Sequence, residues 1–271
     1  MKTILLLITL FISVHAVTLQ EKVAYLDNIK ELIILTQTMR GDTNVYTKGE
    51  KIDVNIIEED RKKVATSLKK LHKKFKTVDV SIDAEFKKLH KYMKSLNEVA
   101  VDLDSLVTFK ANSLLIKEML KIAGEVQESF FLNDTRLHKD VSAMMMKKIM
   151  PMTEYLGQLR GLSAGAVVCR HCDDDEALEY VKDYLALTAD ELDEFTVQMA
   201  ALQTAYPNQY PKDLKLEEYT KNVKQFLVHI EEVVIEKREI KEEECELFIQ
   251  GTKAIDKTLA YYKIDEKILR N

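Results

Sequence analysis

Apolar residues recur at the spacing of an α-helix along most of the chain. In the first segment they fall on one face of a helix, at Val23, Leu26, Ile29, Leu32, Ile33 and Thr36. The same spacing continues in seven further stretches, at about 58–75, 86–99, 106–131, 135–172, 173–206, 216–245 and 248–269. This periodicity predicts helices. Because the helices follow one another with short connections, it indicates up-down bundles.

The composition agrees with an all-α fold. The chain has 271 residues but only seven glycines and three prolines, whereas β-rich proteins need many turn residues. Asn133-Asp134-Thr135 supplies a helix cap, after which the pattern starts again. We therefore predict two consecutive four-helix-bundle-like halves, residues 17–132 and 133–271.

The first sixteen residues have the features of a secretory signal peptide. A positive start at Lys2 is followed by an apolar run from Ile4 to Val14. In Val14-His15-Ala16, Val14 and Ala16 stand at positions −3 and −1 of the expected cleavage site, where signal peptides carry small residues. The apolar run is too short for a membrane span, which needs about 20 residues. We expect cleavage after Ala16 and a periplasmic or secreted protein. An uncleaved membrane anchor is the alternative.

Charge and residue patterns argue against several function classes. The net charge is −5, and lysines are scattered among glutamates, so we expect no nucleic-acid partner. The sequence shows no Ser/His/Asp pattern of a nucleophilic enzyme and no phosphate-binding glycine loop. It also lacks the H-E-x-x-H and E-x-x-H pairs of metal sites. We predict no catalytic residues, no metal and no cofactor, and hence a protein that is not an enzyme.

The three cysteines leave their chemistry open. Cys169 and Cys172 form a C-x-x-C, and Asp173 stands where covalent haem attachment would require histidine. His171 and the remote Cys245 make a weak zinc pattern. A disulfide, free thiols and a metal or redox role all remain open.

A short motif occurs twice, about 120 residues apart. The copies are Leu35-Thr36-Gln37-Thr38-Met39-Arg40-Gly41-Asp42-Thr43-Asn44 and Tyr155-Leu156-Gly157-Gln158-Leu159-Arg160-Gly161-Leu162-Ser163-Ala164-Gly165. With Gly49, these stretches hold five of the seven glycines, although each glycine in a helix costs about 1 kcal/mol relative to alanine. Glycines spaced four apart allow another helix to approach closely. We therefore predict a close helix crossing that carries two arginines.

The polar residues of the two copies predict a site for a small anion. A guanidinium presents a planar set of donors that matches planar oxyanions such as carboxylate or nitrate. The predicted ligands are Arg40, Arg160, Gln37, Thr43, Asn44, Gln158 and Ser163. The alternative is an internal salt bridge from each arginine to an acidic residue such as Glu31, Asp42 or Glu154, because buried arginines are usually paired within the protein.

Both copies of the motif resemble the helix motif of the NIT family, the nitrate- and nitrite-sensing domains of bacterial receptors. Members of that family show a glutamine, then Arg-Gly, then small residues near the end of an early helix. Where a glutamate commonly precedes the first Arg-Gly, this chain has Met39. The resemblance implies two four-helix bundles over nearly all the chain after Ala16. It also implies a nitrate or nitrite anion held by Arg40, and by Arg160 through the second copy.

These features together predict a non-catalytic sensory or binding domain for nitrate or nitrite. It would signal through a separate partner, for which a membrane receptor or a second copy of the chain is the candidate. The alternative is a periplasmic helical adaptor or chaperone-like protein without a small ligand. An adaptor predicts an exposed apolar cleft and no buried arginine pair.

Overall fold

The computed structural model of the chain describes residues 17–48, 54–75, 80–100, 102–168, 175–236 and 246–271. The predicted signal peptide, Gly49, the three cysteines and His171 lie outside these residues. The predictions for them therefore stay predictions.

The described residues are helical and contain no strand, so the all-α prediction is confirmed. The α-helices are α1 Leu19–Thr47, α2 Val54–Phe75, α3 Val80–Val99, α4 Ser105–Phe131, α5 Arg136–Met144, α6 Met150–Val168, α7 Asp175–Ala205, α8 Leu216–Ile230 and α9 Glu246–Arg270. Two single π-helical turns, Met145–Ile149 and Glu231–Ile235, follow α5 and α8. No helix of the described ranges has the length and apolar character needed to cross a membrane.

Helix starts follow local side-chain chemistry. Thr18 and Glu21 form a reciprocal capping box at α1, and the carboxylate of Asp104 accepts from two backbone N–H groups at α4. At α5 the predicted cap is confirmed, because the Thr135 side chain accepts a hydrogen bond from the backbone N–H of His138. Each cap satisfies N–H groups that have no partner inside the helix.

Pro151 explains why the helix predicted over residues 135–172 is not a continuous α-helix. Pro151 has no N–H to donate and its ring crowds the preceding turn. The helix adapts with the π turn Met145–Ile149 directly before it, in which the backbone N–H of Met150 donates to the carbonyl of Met145. The chain therefore continues into α6 with its register shifted by the wider turn.

The two motif-bearing helices lie at the centre of the structure and pack against each other. Helix α1 contacts α2, α4 and α6, while α6 contacts α1, α7 and α9. Because α1 buries successive residues such as Thr43, Asn44 and Val45, it is enclosed on several sides. The predicted boundary between residues 132 and 133 falls in the turn joining α4 to α5. As a division into domains it stays a prediction.

Candidate functional site

The motif glycines lie where α1 crosses α6. A Cβ atom on Gly161 would stand 3.9 Å from the Cα of Gly41 and 2.8 Å from the ring of Phe109. A Cβ on Gly165 would stand 2.5 Å from Nδ2 of Asn44. That amide instead donates a 2.9 Å hydrogen bond to the carbonyl oxygen of Gly161, which ties the two helix backbones together. The glycines are thus explained by the close approach of the two motif copies.

Arg40 points from α1 into this crossing and is 1% exposed. Its Nη1 donates to the hydroxyl of Ser113 on α4 at 2.8 Å and pairs with the carboxylate of Glu154 on α6. The guanidinium lies over the ring of Phe109, 4.7 Å from the ring centroid. Gly157 leaves room beside it, since a Cβ there would be 3.3 Å from Nη2.

Arg160 is placed in a similar way by the second half of the chain. It is 8% exposed, its Nη1 donates to the hydroxyl of Thr252 on α9 at 3.1 Å, and its guanidinium lies 4.7 Å from the centroid of Phe248. Gly251 makes space for the arginine stem, because a Cβ there would be 2.8 Å from Cβ and Cγ of Arg160. Within the described residues, Arg160 forms no ion pair.

The surroundings of the two arginines repeat each other. On α4, Phe109 covers Arg40 and Ser113 accepts its hydrogen bond; on α9, Phe248 covers Arg160 and Thr252 accepts its hydrogen bond. In both helices the aromatic and hydroxyl residues are four apart, so both side chains lie on one face. The repeat seen in α1 and α6 therefore extends to the helices that cover them.

The carboxylate of Glu154 breaks this symmetry. One oxygen pairs with Arg40 and the other accepts a 2.9 Å hydrogen bond from Nε2 of Gln37. Burial raises the pKa of Glu154. The charge and hydrogen bond of Arg40 offset part of that rise, and hydrogen bonds from Gln37 and Gln158 offset a little more. Arg40 thus has an internal counter-ion, as the salt-bridge alternative anticipated.

The electrostatics around Arg160 are less balanced. Burial lowers the pKa of Arg160, and the charge of Arg40 lowers it further. Asp42 offers only partial compensation, because burial, followed by its contact with Asp60, raises the pKa of Asp42 to about 7. The charges of Asp256 and Glu154 also favour the charged form of Arg160, although neither forms an ion pair with it in the described residues. Arg160 is therefore a buried cation whose compensating carboxylates lie beyond ion-pair distance.

Several donors at the crossing have no partner. Among the described residues, Nε and Nη2 of Arg40 and Nε of Arg160 are buried without a hydrogen-bond acceptor. Nε and Nη2 form the side-on edge of a guanidinium, which binds planar oxyanions through two parallel hydrogen bonds. One acceptor, Oε1 of Gln158, is also buried without a hydrogen-bond donor among the described residues. Unsatisfied buried donors of this kind often mark a functional site.

The structure brings most of the predicted ligands together. Arg40, Gln37 and Gln158 surround Glu154, while Asn44 bridges the two helices at Gly161.

Two predicted ligands are used differently. The hydroxyl of Ser163 donates to the carbonyl of Leu159, one turn earlier on its own helix, at 2.6 Å. Thr43 is buried, but no hydrogen bond joins its hydroxyl to either arginine in the described part of the chain. Glu31, proposed as an alternative partner of the arginines, instead pairs with Lys70.

Sequence reasoning missed the contributions of α4 and α9. Phe109, Ser113, Phe248 and Thr252 complete the surroundings of the arginines, although none lies in the repeated motif. The signal that could have found them is the pair of strings Phe109-x-x-x-Ser113 and Phe248-x-x-x-Thr252, one following each copy of the motif.

Comparisons with known proteins point to one fold. The structure of the NasR transcription antiterminator matches with a TM-score of 0.69 and 15% sequence identity, over 93% of this chain and 68% of that chain. At this identity the likeness shows the fold alone. No family model and no curated protein matches the chain. The class defined by fold and site is an all-helical protein with a buried two-arginine crossing.

Proposed function

We propose that the chain is a non-catalytic sensory domain that binds a small planar oxyanion where α1 crosses α6. Nitrate and nitrite are the candidate ligands, since the repeated motif resembles that of nitrate- and nitrite-sensing domains. The fold shared with a transcription antiterminator supports a regulatory role. We place the protein outside the cytoplasm, signalling through a membrane receptor or a second copy of the chain.

The observation that carries the proposal is the set of donors around Arg40. Arg40 and Gln37 already hold one planar oxyanion, the carboxylate of Glu154, and the same Nη1 of Arg40 also donates to the hydroxyl of Ser113. Nitrate and nitrite resemble a carboxylate in their planar arrangement of oxygens, so the same donors suit them. A second buried guanidinium, Arg160, forms no ion pair in the described residues, and its Nη1 donates only to the hydroxyl of Thr252.

The helix crossing offers a way to transmit binding. Asn44 joins α1 to the backbone of α6, and the glycines hold the helices in contact. An anion bound at Arg40, which lies against Gly157 of α6, would alter the contact between the two helices and so change their relative position. A small change at such a close-packed crossing is passed to the helices that cover it, because packed interfaces deform little.

A thermal-shift series tests the proposal. Ligand at a hundredfold excess over Kd stabilises a folded protein by about 2.7 kcal/mol, which is roughly 5–10 °C for a chain of this size. We expect nitrate or nitrite to raise the melting temperature of residues 17–271 above a chloride control at equal ionic strength. Arg40→Ala should remove that increment. Arg40→Lys should restore little of it, because lysine lacks the planar donor set.

The matched control is Arg136→Ala, which removes an arginine whose side chain is 89% exposed and lies outside the crossing. It should respond to nitrate as the unaltered protein does. Circular dichroism shows whether each variant keeps its helices. Equal stabilisation by every salt, or an unchanged nitrate response in folded Arg40→Ala, would favour the adaptor alternative.

The adaptor alternative gives the buried arginine pair no role. The apolar cleft that it predicts has a candidate in the groove of about 1050 Å³ beside α7 and α8, where Leu214, Leu216 and Val228 lie among charged side chains such as Lys221. The salt series on Arg40→Ala therefore decides between the two functions.

A further inference from the structure

Glu154 occupies the position that the proposed anion needs. Both of its carboxylate oxygens are engaged, one by Arg40 and the other by Gln37. The residue is 5% exposed, so it lies inside the crossing and not at its rim. In size and shape, a carboxylate held in this way is a stand-in for a small planar anion.

The crossing is also too tight to admit an anion beside Glu154. The remaining donors of Arg40, Nε and Nη2, are enclosed by protein atoms. Even at Gly157, where no side chain projects, the position of a Cβ would be only 3.3 Å from Nη2. An incoming anion therefore needs the space and donors that the carboxylate now holds.

We infer that Glu154 is a built-in competitor for the anion, which must displace its carboxylate from Arg40 and Gln37 in order to bind. This inference rests on the proposed function. It explains why one arginine of the pair carries an internal counter-ion while the other does not. The site is closed at rest and opens by exchange of one planar oxyanion for another.

Displacement changes the protonation of Glu154. The charged and titratable groups that interact with it are Arg40 on α1, Arg160 and Tyr155 on its own helix α6, and Tyr180 on α7. Ser113 from α4 is neutral. Once the anion has taken Arg40, the carboxylate loses its main stabilising charge while it remains among buried side chains. It therefore takes up a proton, and the anion binds together with that proton.

The sign of the pH dependence follows. Burial already holds the pKa of Glu154 above its ordinary value, and loss of Arg40 raises this pKa further. Proton uptake on binding makes the affinity rise as pH falls between these two pKa values. For one proton, Kd changes by at most about tenfold per pH unit.

Calorimetric titration with sodium nitrate and sodium nitrite tests the inference. Residues 17–271, Glu154→Gln and Glu191→Gln are titrated at pH 6 and pH 8, in buffers of different ionisation enthalpy. Glutamine keeps a hydrogen-bonding side chain at 154 but carries no charge. Glu191→Gln is the matched control, because Glu191 is a partly buried carboxylate on α7 that pairs with Lys148 at 3.4 Å and, among the described residues, forms no ion pair with Arg40.

We expect the unaltered protein to bind more tightly at pH 6 than at pH 8 and to take up protons on binding. Glu154→Gln should bind at least about tenfold more tightly at pH 8, with no proton uptake, and Glu191→Gln should resemble the unaltered protein. Proton uptake by the unaltered protein tests the inference even if Glu154→Gln does not fold.

Unchanged or weaker binding by Glu154→Gln, or no proton uptake by the unaltered protein, would overturn the inference but leave anion binding standing. Absence of binding at both pH values in the unaltered protein and in Glu154→Gln would overturn the proposed function with it.

Discussion

Alanine substitution at two helical glycines separates close packing at the crossing from intrinsic helix propensity. Gly161 lies at the contact of α1 with α6, whereas Gly124 lies in α4 with no atom within 4 Å of the position a Cβ would take. Both are inside helices, so alanine adds the same propensity gain of about 1 kcal/mol at each. Any difference between the two variants therefore measures the surroundings.

The structure gives the magnitude of that difference. At Gly161 the added methyl group would stand 2.8 Å from Cε2 and 3.4 Å from Cζ of Phe109. That ring is 1% exposed and packs against the Arg40 guanidinium, so it has little freedom to move. Overpacking of this kind costs about 1–3 kcal/mol. We expect Gly161→Ala to lose up to about 2 kcal/mol net, and Gly124→Ala to gain up to about 1 kcal/mol.

Urea unfolding followed by circular dichroism at 222 nm measures both changes in the free energy of unfolding. Gly161→Ala should also weaken any nitrate-induced stabilisation, because displacing Phe109 moves Arg40. Equal stabilisation of both variants would refute the reasoning, since it would mean that α1 and α6 do not approach as closely as the structure shows.

Two further predictions concern stability. Burial raises the pKa of Asp265 to about 8, although the hydrogen bond from the Tyr210 hydroxyl offsets part of the rise. The folded-state pKa of Asp265 exceeds its unfolded-state pKa, so the folded protein holds this proton more tightly. The resulting contribution to the free energy of unfolding is on the order of 5 kcal/mol; it is complete below about pH 4 and is lost as pH rises through 8. Asp265→Asn should therefore gain stability relative to the unaltered protein as pH rises from 5 to 8, by several kcal/mol. Urea unfolding at the two pH values measures this gain. The same stability difference at both would contradict a buried carboxyl whose pKa is raised. Thr135→Ala should cost about 1 kcal/mol by the same assay, since it removes the cap of α5, and no loss would mean that the hydrogen bond to His138 contributes nothing.

Much of the secondary structure could be read from the chain because its causes are local. Apolar spacing located the helices, and Thr135 marked the start of α5. The glycines of the two motif copies indicated a close helix contact, because glycine is unfavourable in a helix unless another backbone needs the space. Pro151 likewise indicated a disturbance before α6, and its form, a π turn, came from the structure.

Residue order alone makes the chain helical and puts two arginines beside helix-packing glycines. What each arginine contacts depends on how the helices pack. Arg40 meets Ser113 and Glu154 from positions 73 and 114 residues away, and Arg160 meets Thr252 from 92 residues away. Such partners leave no local periodicity, because they are chosen by which helix faces pack together. The same packing commits the hydroxyl of Ser163 to its own helix, and it leaves Arg160 buried without an ion pair among the described residues.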